Sequence, residues 1–289
     1  AVQEAVQIAP ACVEYQQQLA EVFWEVNLAS NALQTAHTVL QLGQDNPDVL
    51  AWYTDQIVRS LHPAGQRGSK RLAEKDGKAG ISEAINVICH ALELQPKRAD
   101  FYTRLARLQI FDGQPEQAVT TLQEILNFEA LPMILFQEAA NLAEDAGSPR
   151  LAADLYRRAA QAIREADATS YGEILLKLAE SQSNAQNYHA ALQTLRQAAS
   201  NNPADPRPYL LQADIFHALE QPESVVNCLE NAIPNMQQPA DQIKVHTHLA
   251  LALRAQGKFP AAYYHAAQAA ELATQPGVLV ATMALEIFV

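Results

Sequence analysis

Three sets of residues in this sequence are of a type and spacing that could do chemistry: one basic, glycine-rich stretch, the histidines and the cysteines. The stretch His62 to Gly80, HPAGQRGSKRLAEKDGKAG, holds five Gly or Pro and five Lys or Arg, in a chain otherwise rich in Ala, Leu and Gln. Its Gly68-Ser69-Lys70 core invites comparison with a phosphate-cradling loop. Such a loop needs G-x-x-x-x-G-K-[ST] between a strand and a helix, so that backbone N–H groups and the lysine converge on the phosphates. Here Ser69 follows Gly68 and no strand signal precedes, so phosphate chemistry is not expected. The five cations Arg67, Lys70, Arg71, Lys75 and Lys78 face only Glu74 and Asp76, which gives the stretch a net charge of +3 on a remainder of −15. It reads as a surface insertion, able to fold back on its own acidic body or to hold an acidic partner.

The eight histidines do not converge. His246 and His248 are the nearest pair, but residues two apart on a helix point about 200° apart and cannot share a metal. Cys12, Cys89 and Cys228 are distant and odd in number, with neither a disulfide framework nor a zinc spacing. They read as reduced thiols of a cytoplasm-like compartment. No nucleophile-base-acid order, paired-carboxylate pocket or nucleotide motif is evident, so no catalytic residue, metal or cofactor is expected.

Bulk charge narrows the partners. A net −12 over 289 residues argues against a general nucleic-acid binder, which would carry a dominant basic surface. The N-terminus lacks the basic and apolar regions of a signal peptide. The longest apolar stretch, Val278 to Val289, contains Glu286 and is too short for a bilayer, so no membrane partner is expected.

The elements that position these residues follow from an internal repeat. Ala84, Ala118 and Ala152 are 34 residues apart, as are Ala191 and Val225; the steps Ala32–Ala84, Ala152–Ala191 and Val225–Ala262 exceed that period by 18, 5 and 3. A second set, Ala106, Ala140, Ala179, Ala213 and Ala250, precedes these, usually four residues after a large residue (Tyr102, Phe136, Leu175, Tyr209). Apolar residues recur at three- and four-residue spacing on both sides of a Gly-, Asn- or Gln/Pro-containing turn, the period of amphipathic helices. Each unit is therefore two antiparallel helices. Alanine marks the close crossings, and Pro10, Pro96, Pro203 and Pro276 mark repeat ends, because proline disfavours helix at the residue before it.

The segment Ala99-Asp100-Phe101-Tyr102-Thr103-Arg104-Leu105-Ala106 followed by Gly113, Ala118, Leu122 and Ile125, and the turn Gly257-Lys258-Phe259 before Ala262, resemble the tetratricopeptide repeat (TPR) family. The resemblance covers nearly the whole chain, with departures at Gln212, Val225 and Glu220, where the family has Leu, Ala and the turn Gly. It implies an all-α, right-handed superhelical solenoid of antiparallel helix pairs. In that register residues 1–12 form a half repeat, 13–48, 49–98 (with the inserted loop 62–80), 99–132, 133–171, 172–205, 206–242 and 243–277 form repeats, and 278–289 form a terminal helix. Starting in mid-repeat without methionine, the chain reads as a piece of a longer protein.

The resemblance also implies a function: binding of a peptide or extended partner segment in the concave groove lined by the first helix of each pair. The positions it selects are Arg104, Arg107, Gln137, Asn141, Lys177, Asp214, Lys244 and His248, with Gln17, Glu21, Glu173, Glu180 and Arg207 on the same faces. His246 falls where other repeats place an aromatic and is assigned to packing. Lys97, Arg98, Arg104 and Arg107 would receive an acidic portion of the partner. The clamp by which some members hold the C-terminal carboxylate of chaperones is not expected, because Gln17, Glu21 and Asp100 replace its cations and amide and only Arg104 matches. The expectation is a cytoplasmic protein–protein interaction scaffold without catalysis. The alternatives are a sensor segment of a larger signalling or enzymatic protein, and self-association through the terminal repeats.

Overall fold

A computed structural model describes residues 2–61, 74–163 and 168–273 of the chain. Those residues form helices and no strand. In chain order, α1 (Val2–Ile8) is followed by the pairs α2 (Val13–Glu25) and α3 (Ala29–Leu42), α4 (Pro47–Leu61) and α5 (Glu74–Leu94), α6 (Ala99–Phe111) and α7 (Pro115–Gln123), and α8 (Met133–Asp145) and α9 (Pro149–Ile163). Then come α10 (Ala168–Asn184) and α11 (Tyr188–Asn201), α12 (Arg207–Ala218) and α13 (Pro222–Ala232), and α14 (Pro239–Ala255) and α15 (Phe259–Ala273). Single 3-10 turns extend α7 (Glu124–Asn127) and α13 (Ile233–Asn235).

Six of the turns within pairs share one hydrogen-bond solution. The N–H of Leu28, Gln114, Ser148, Asn187, Gln221 and Lys258 each donates to the carbonyl five residues back, at 2.8–3.0 Å. The residue just before each donor adopts a left-handed backbone: Gly113, Gly147 and Gly257 at φ near +75°, and Asn27, Gln186 and Glu220 at φ 59°, 61° and 56°. This is the geometry by which a helix end satisfies its last carbonyls while reversing the chain. Proline then opens α4, α7, α9, α13 and α14, where its missing N–H would have had no partner and its fixed φ suits the first turn.

The spaced alanines mark the helix crossings. Ala32, Ala84, Ala118, Ala152 and Ala191 on second helices are completely buried, as are Ala20, Ala106, Ala140 and Ala250 on first helices. Thr54 occupies the corresponding place on α4, also completely buried, and bonds the carbonyl of Ala51 at 2.7 Å. A polar bond recurs beside these crossings: Thr121 donates to Gln109 and Thr194 to Gln182, both at 2.8 Å.

The chain divides into two compact units, residues 1–151 and 152–289. In the first, Leu50, Tyr53, Ile57, Ile88, Phe101 and Leu108 from α4, α5 and α6 form one apolar cluster. In the second, Leu176, Ala179, Ala191, Leu195 and Ile215 pack α10, α11 and α12, while Val225, Leu229, Val245, Leu249 and Leu253 pack α13 and α14.

Where they are described, extra residues of the long periods lengthen helices, a difference from the sequence reading. α5 begins at Glu74 and not at residue 81, so Lys75 and Lys78 of the expected loop 62–80 belong to a helix. α10 and α14 have 17 residues each and run through the expected boundaries at 171/172 and 242/243. An added helical turn satisfies its own backbone, whereas an added loop residue must find other partners. Arg67, Lys70, Arg71, Pro276 and the expected terminal helix 278–289 lie outside the described residues.

Candidate functional site

The first helix of each pair presents polar side chains just beside its buried small residue, and the first unit ties them together. Asp55 stands one residue after Thr54 on α4, and Arg104 two residues before Ala106 on α6. They form a two-pronged pair, with Nε to Oδ1 and Nη2 to Oδ2 both at 3.1 Å. Arg104 also donates through Nη1 to the Asp100 carboxylate (2.9 Å) and the Asp100 carbonyl (3.2 Å). The next step has the same register and opposite polarity: Arg107, one residue after Ala106, pairs with Glu138, two before Ala140 on α8. On the other side, Arg59 of α4 donates to Glu21 of α2 at 2.6 Å and lies over the Trp24 ring at 5.1 Å, and Trp24 Nε1 donates to Gln56 at 2.7 Å.

Of the cations expected to receive an acidic ligand, Arg98, Arg104 and Arg107 are thus already neutralised, and only the exposed Lys97 has no acidic partner among the described residues. Arg98 is bonded to Asp100 and Asp48 at 2.8 Å, which raises its pKa further. Burial alone would raise the Asp100 carboxyl, but hydrogen bonds and charge from Arg98, with charge from Arg104, hold it below the ordinary carboxylate range. Gln137 is half-buried and Asn141 exposed on α8. These four expected site residues, Arg104, Arg107, Gln137 and Asn141, fall in the first unit.

The second unit carries Lys177, Asp214, Lys244 and His248. Lys177 pairs within α10 to Glu180 (2.9 Å), and Lys244 within α14 to Asp241 (3.0 Å). One inter-helix pair resembles those of the first unit: Arg207 of α12 reaches Glu173 of α10 at 2.6 and 2.9 Å while also holding Asp205. Burial would raise Asp205, and the bonds and charge of Arg207 bring it below its ordinary value. This paired cluster lines an opening of about 200 Å³.

A larger cleft, about 340 Å³, opens beside α10, α11 and α12. Its apolar lining is Ala179, Leu195, Leu211, Ile215 and Ala218, three of them belonging to the buried cluster of these helices. Its polar lining is Glu180, Ser183, Asn184, Gln186, Tyr188 and Asp214. The register explains the opening. Glu180 follows Ala179 as Asp55 follows Thr54, but the place of Arg104 is taken by Leu211, two residues before Ala213. Asp214 follows Ala213, and the matching place on α14 is held by His248. Asp214 is exposed, and its carboxylate has no hydrogen bond or ion pair among the described residues. Sequence reasoning selected Asp214 and missed Leu211 and Tyr188; Leu211 was within reach, because the repeat register alone puts it opposite Glu180.

His246 is buried, as its aromatic register implied, and stacks on His265 of α15 with ring centroids 5.2 Å apart. Their Nδ1 atoms approach to 2.9 Å, so one must donate and the other accept. Burial lowers both pKa values, with mutual repulsion adding for His246 and Glu230 partly opposing for His265. Cys12, Cys89 and Cys228 are free thiols. Among the described residues no group of three or more His, Cys, Asp or Glu side chains could hold a metal ion, and no helix is long and apolar enough to cross a membrane.

No family model matches the sequence, and no curated protein matches it. Solved structures do. The C-terminal part of a TPR repeat-containing protein from Cytophaga hutchinsonii is 12% identical and superposes with a TM-score of 0.55 over 94% of this chain and 99% of that one. A tetratricopeptide repeat protein from Parabacteroides merdae is 14% identical, with a TM-score of 0.48 over 95% and 98% of the two chains. YrrB, described as a TPR protein with an unusual peptide-binding site, is 16% identical, with a TM-score of 0.39 over 89% and 98%. The fold is therefore the all-α helix-pair fold of tetratricopeptide repeat proteins.

Proposed function

We propose that this chain is a protein–protein interaction scaffold that holds an extended segment of a partner protein against the first helices of its pairs, without catalysis of its own. One observation carries the reading: on α10 and α12 the register that closes into ion pairs between α4 and α6 and between α6 and α8 leaves an apolar-floored cleft rimmed by polar groups. Such a cleft, near the lower end of the roughly 300–1,000 Å³ typical of ligand pockets, suits one or two side chains of a longer segment. Extended segments gain affinity from a few such anchors. The three free thiols suit a reducing compartment such as the cytoplasm.

The test is to pan a displayed random-peptide library on the purified chain and repeat the binding with Leu211→Arg. That change supplies the missing partner of Glu180 and fills the cleft. The expected result is a set of peptides that compete for one site and lose at least tenfold in affinity with the variant, while its helical circular dichroism is unchanged. Failure to enrich any peptide, or equal binding by the variant, would overturn the reading.

A further inference from the structure

We infer that the cleft beside α10, α11 and α12 takes a Lys or Arg side chain of the partner segment, with its cation at Asp214 and Glu180 and its aliphatic stem and an adjoining apolar residue over Leu211 and Ile215. This rests on the interaction reading above and adds the chemistry of the partner.

Charge points to a cation. Among the described residues no Lys, Arg or His lines the cleft, whereas two carboxylates do. Asp214 is unpaired among the described residues, and Glu180 is held only by Lys177 of its own helix, an exposed pair three residues apart. Exposed pairs of this kind are weak and readily exchange partners. The backbone adds to the field. α10 ends at Asn184 and α12 at Ala218, and both residues line the cleft. Two helix C-termini, the negative ends of their helix dipoles, thus meet the single N-terminus of α11 at Tyr188. A partner carboxylate would enter this field unfavourably.

Shape points to Lys or Arg in particular. Long cationic side chains lay their methylene stems along apolar surface while the head seeks charge or water. The floor supplies that surface: Ile215 and Leu195 are almost fully buried and Leu211 packs half-buried beside them. Half-buried Tyr188 also lines the cleft, and an aromatic ring there suits a guanidinium or ammonium. An uncharged apolar side chain would fit the floor but leave the Asp214 carboxylate beside an apolar group.

The sequences of the library peptides decide the matter, together with Asp214→Lys and, as a charge-matched control, Glu25→Lys. Glu25 is exposed near the end of α2 in the other unit. The expected result is enrichment of Lys or Arg next to an apolar residue. Affinity should weaken about tenfold with Asp214→Lys, stay unchanged with Glu25→Lys and fall with added salt, as attraction between partly exposed charges does. Peptides enriched in Asp or Glu, or cationic peptides indifferent to Asp214→Lys, would overturn this inference and leave the scaffold reading standing. Enrichment of no peptide would overturn both. Asp214 is exposed, so melting of the variant should match the parent and a folding defect would not mimic lost binding.

Discussion

The first-helix faces of the two units use one register for opposite ends. On α4, α6 and α8 the residue after the buried small side chain meets a complementary charge two residues before the next one, as Asp55 meets Arg104 and Arg107 meets Glu138. On α10 and α12 the same two places hold Glu180 and Leu211, and a cleft results. Complementarity at these places spends the polar groups on holding neighbouring pairs in place. A mismatch leaves them available. Charge alone is therefore a poor guide to a binding surface in this chain, and charge without a partner is a better one.

Breaking a closed step should have the largest effect. Arg104→Ala leaves Asp55 and Asp100 without their shared cation at a site where Arg104 and Asp100 are only about a quarter exposed. That places it between a surface pair and a buried one, and the expected loss is about 1–2 kcal/mol. Asp214→Ala should change stability by less than about 0.5 kcal/mol, as surface substitutions away from such features do. Thermal melts by circular dichroism compare the two. Equal destabilisation would erase the distinction between the faces.

Acid should separate two events. The His246 and His265 pKa values are depressed in the folded chain, so the unfolded chain binds more protons as pH falls through about 6.5 and stability drops there. Contributions from Asp100 and Asp205, also depressed, are fully present above about pH 3.9 and are lost only as pH falls further. Hydrogen exchange corrected for its intrinsic pH dependence should show α14 and α15 opening more readily at pH 5.5 than at pH 7.5, with α4 and α6 unchanged. The double variant His246→Phe, His265→Phe should remove that difference.

The smallest effect lies in the turns. Gly113 in the first unit and Glu220 in the second both have a left-handed backbone, which costs a residue with a side chain about 1 kcal/mol. Glu220→Gly should then stabilise by about 0.5 kcal/mol, after subtracting the greater freedom of glycine in the unfolded chain. Gly113→Ala should destabilise by a similar amount or more. Urea titration resolves both, and a destabilised Glu220→Gly would mean that the glutamate side chain holds the turn.

The fold was legible because its signal is repeated. Ala84, Ala118 and Ala152 announce a crossing through their spacing, and each is completely buried. Glu220 was legible as a departure, and the structure shows the chain accepting left-handed geometry there. The start of α5 was not legible, because Gly77 and Gly80 signal a loop and yet lie within the helix. Arg104 and Arg107 show the larger limit. Their type and face follow from sequence, but whether a cation is free depends on Asp55 and Glu138, 49 and 31 residues away in the chain, and so on which helices stand side by side.

The reversed polarity of successive steps restricts how an array of this kind can change length. α6 carries arginine on both of its edges, and the helices on either side carry acids. Were the α6–α7 pair copied in tandem, Arg107 of one copy would face Arg104 of the next, and like charges would stand where each now has a carboxylate. Deleting the pair would set Asp55 against Glu138. Repeats that look interchangeable by their alanines are thus keyed to their neighbours, and a recombination event would have to move an acidic and a basic helix together to leave the seam intact.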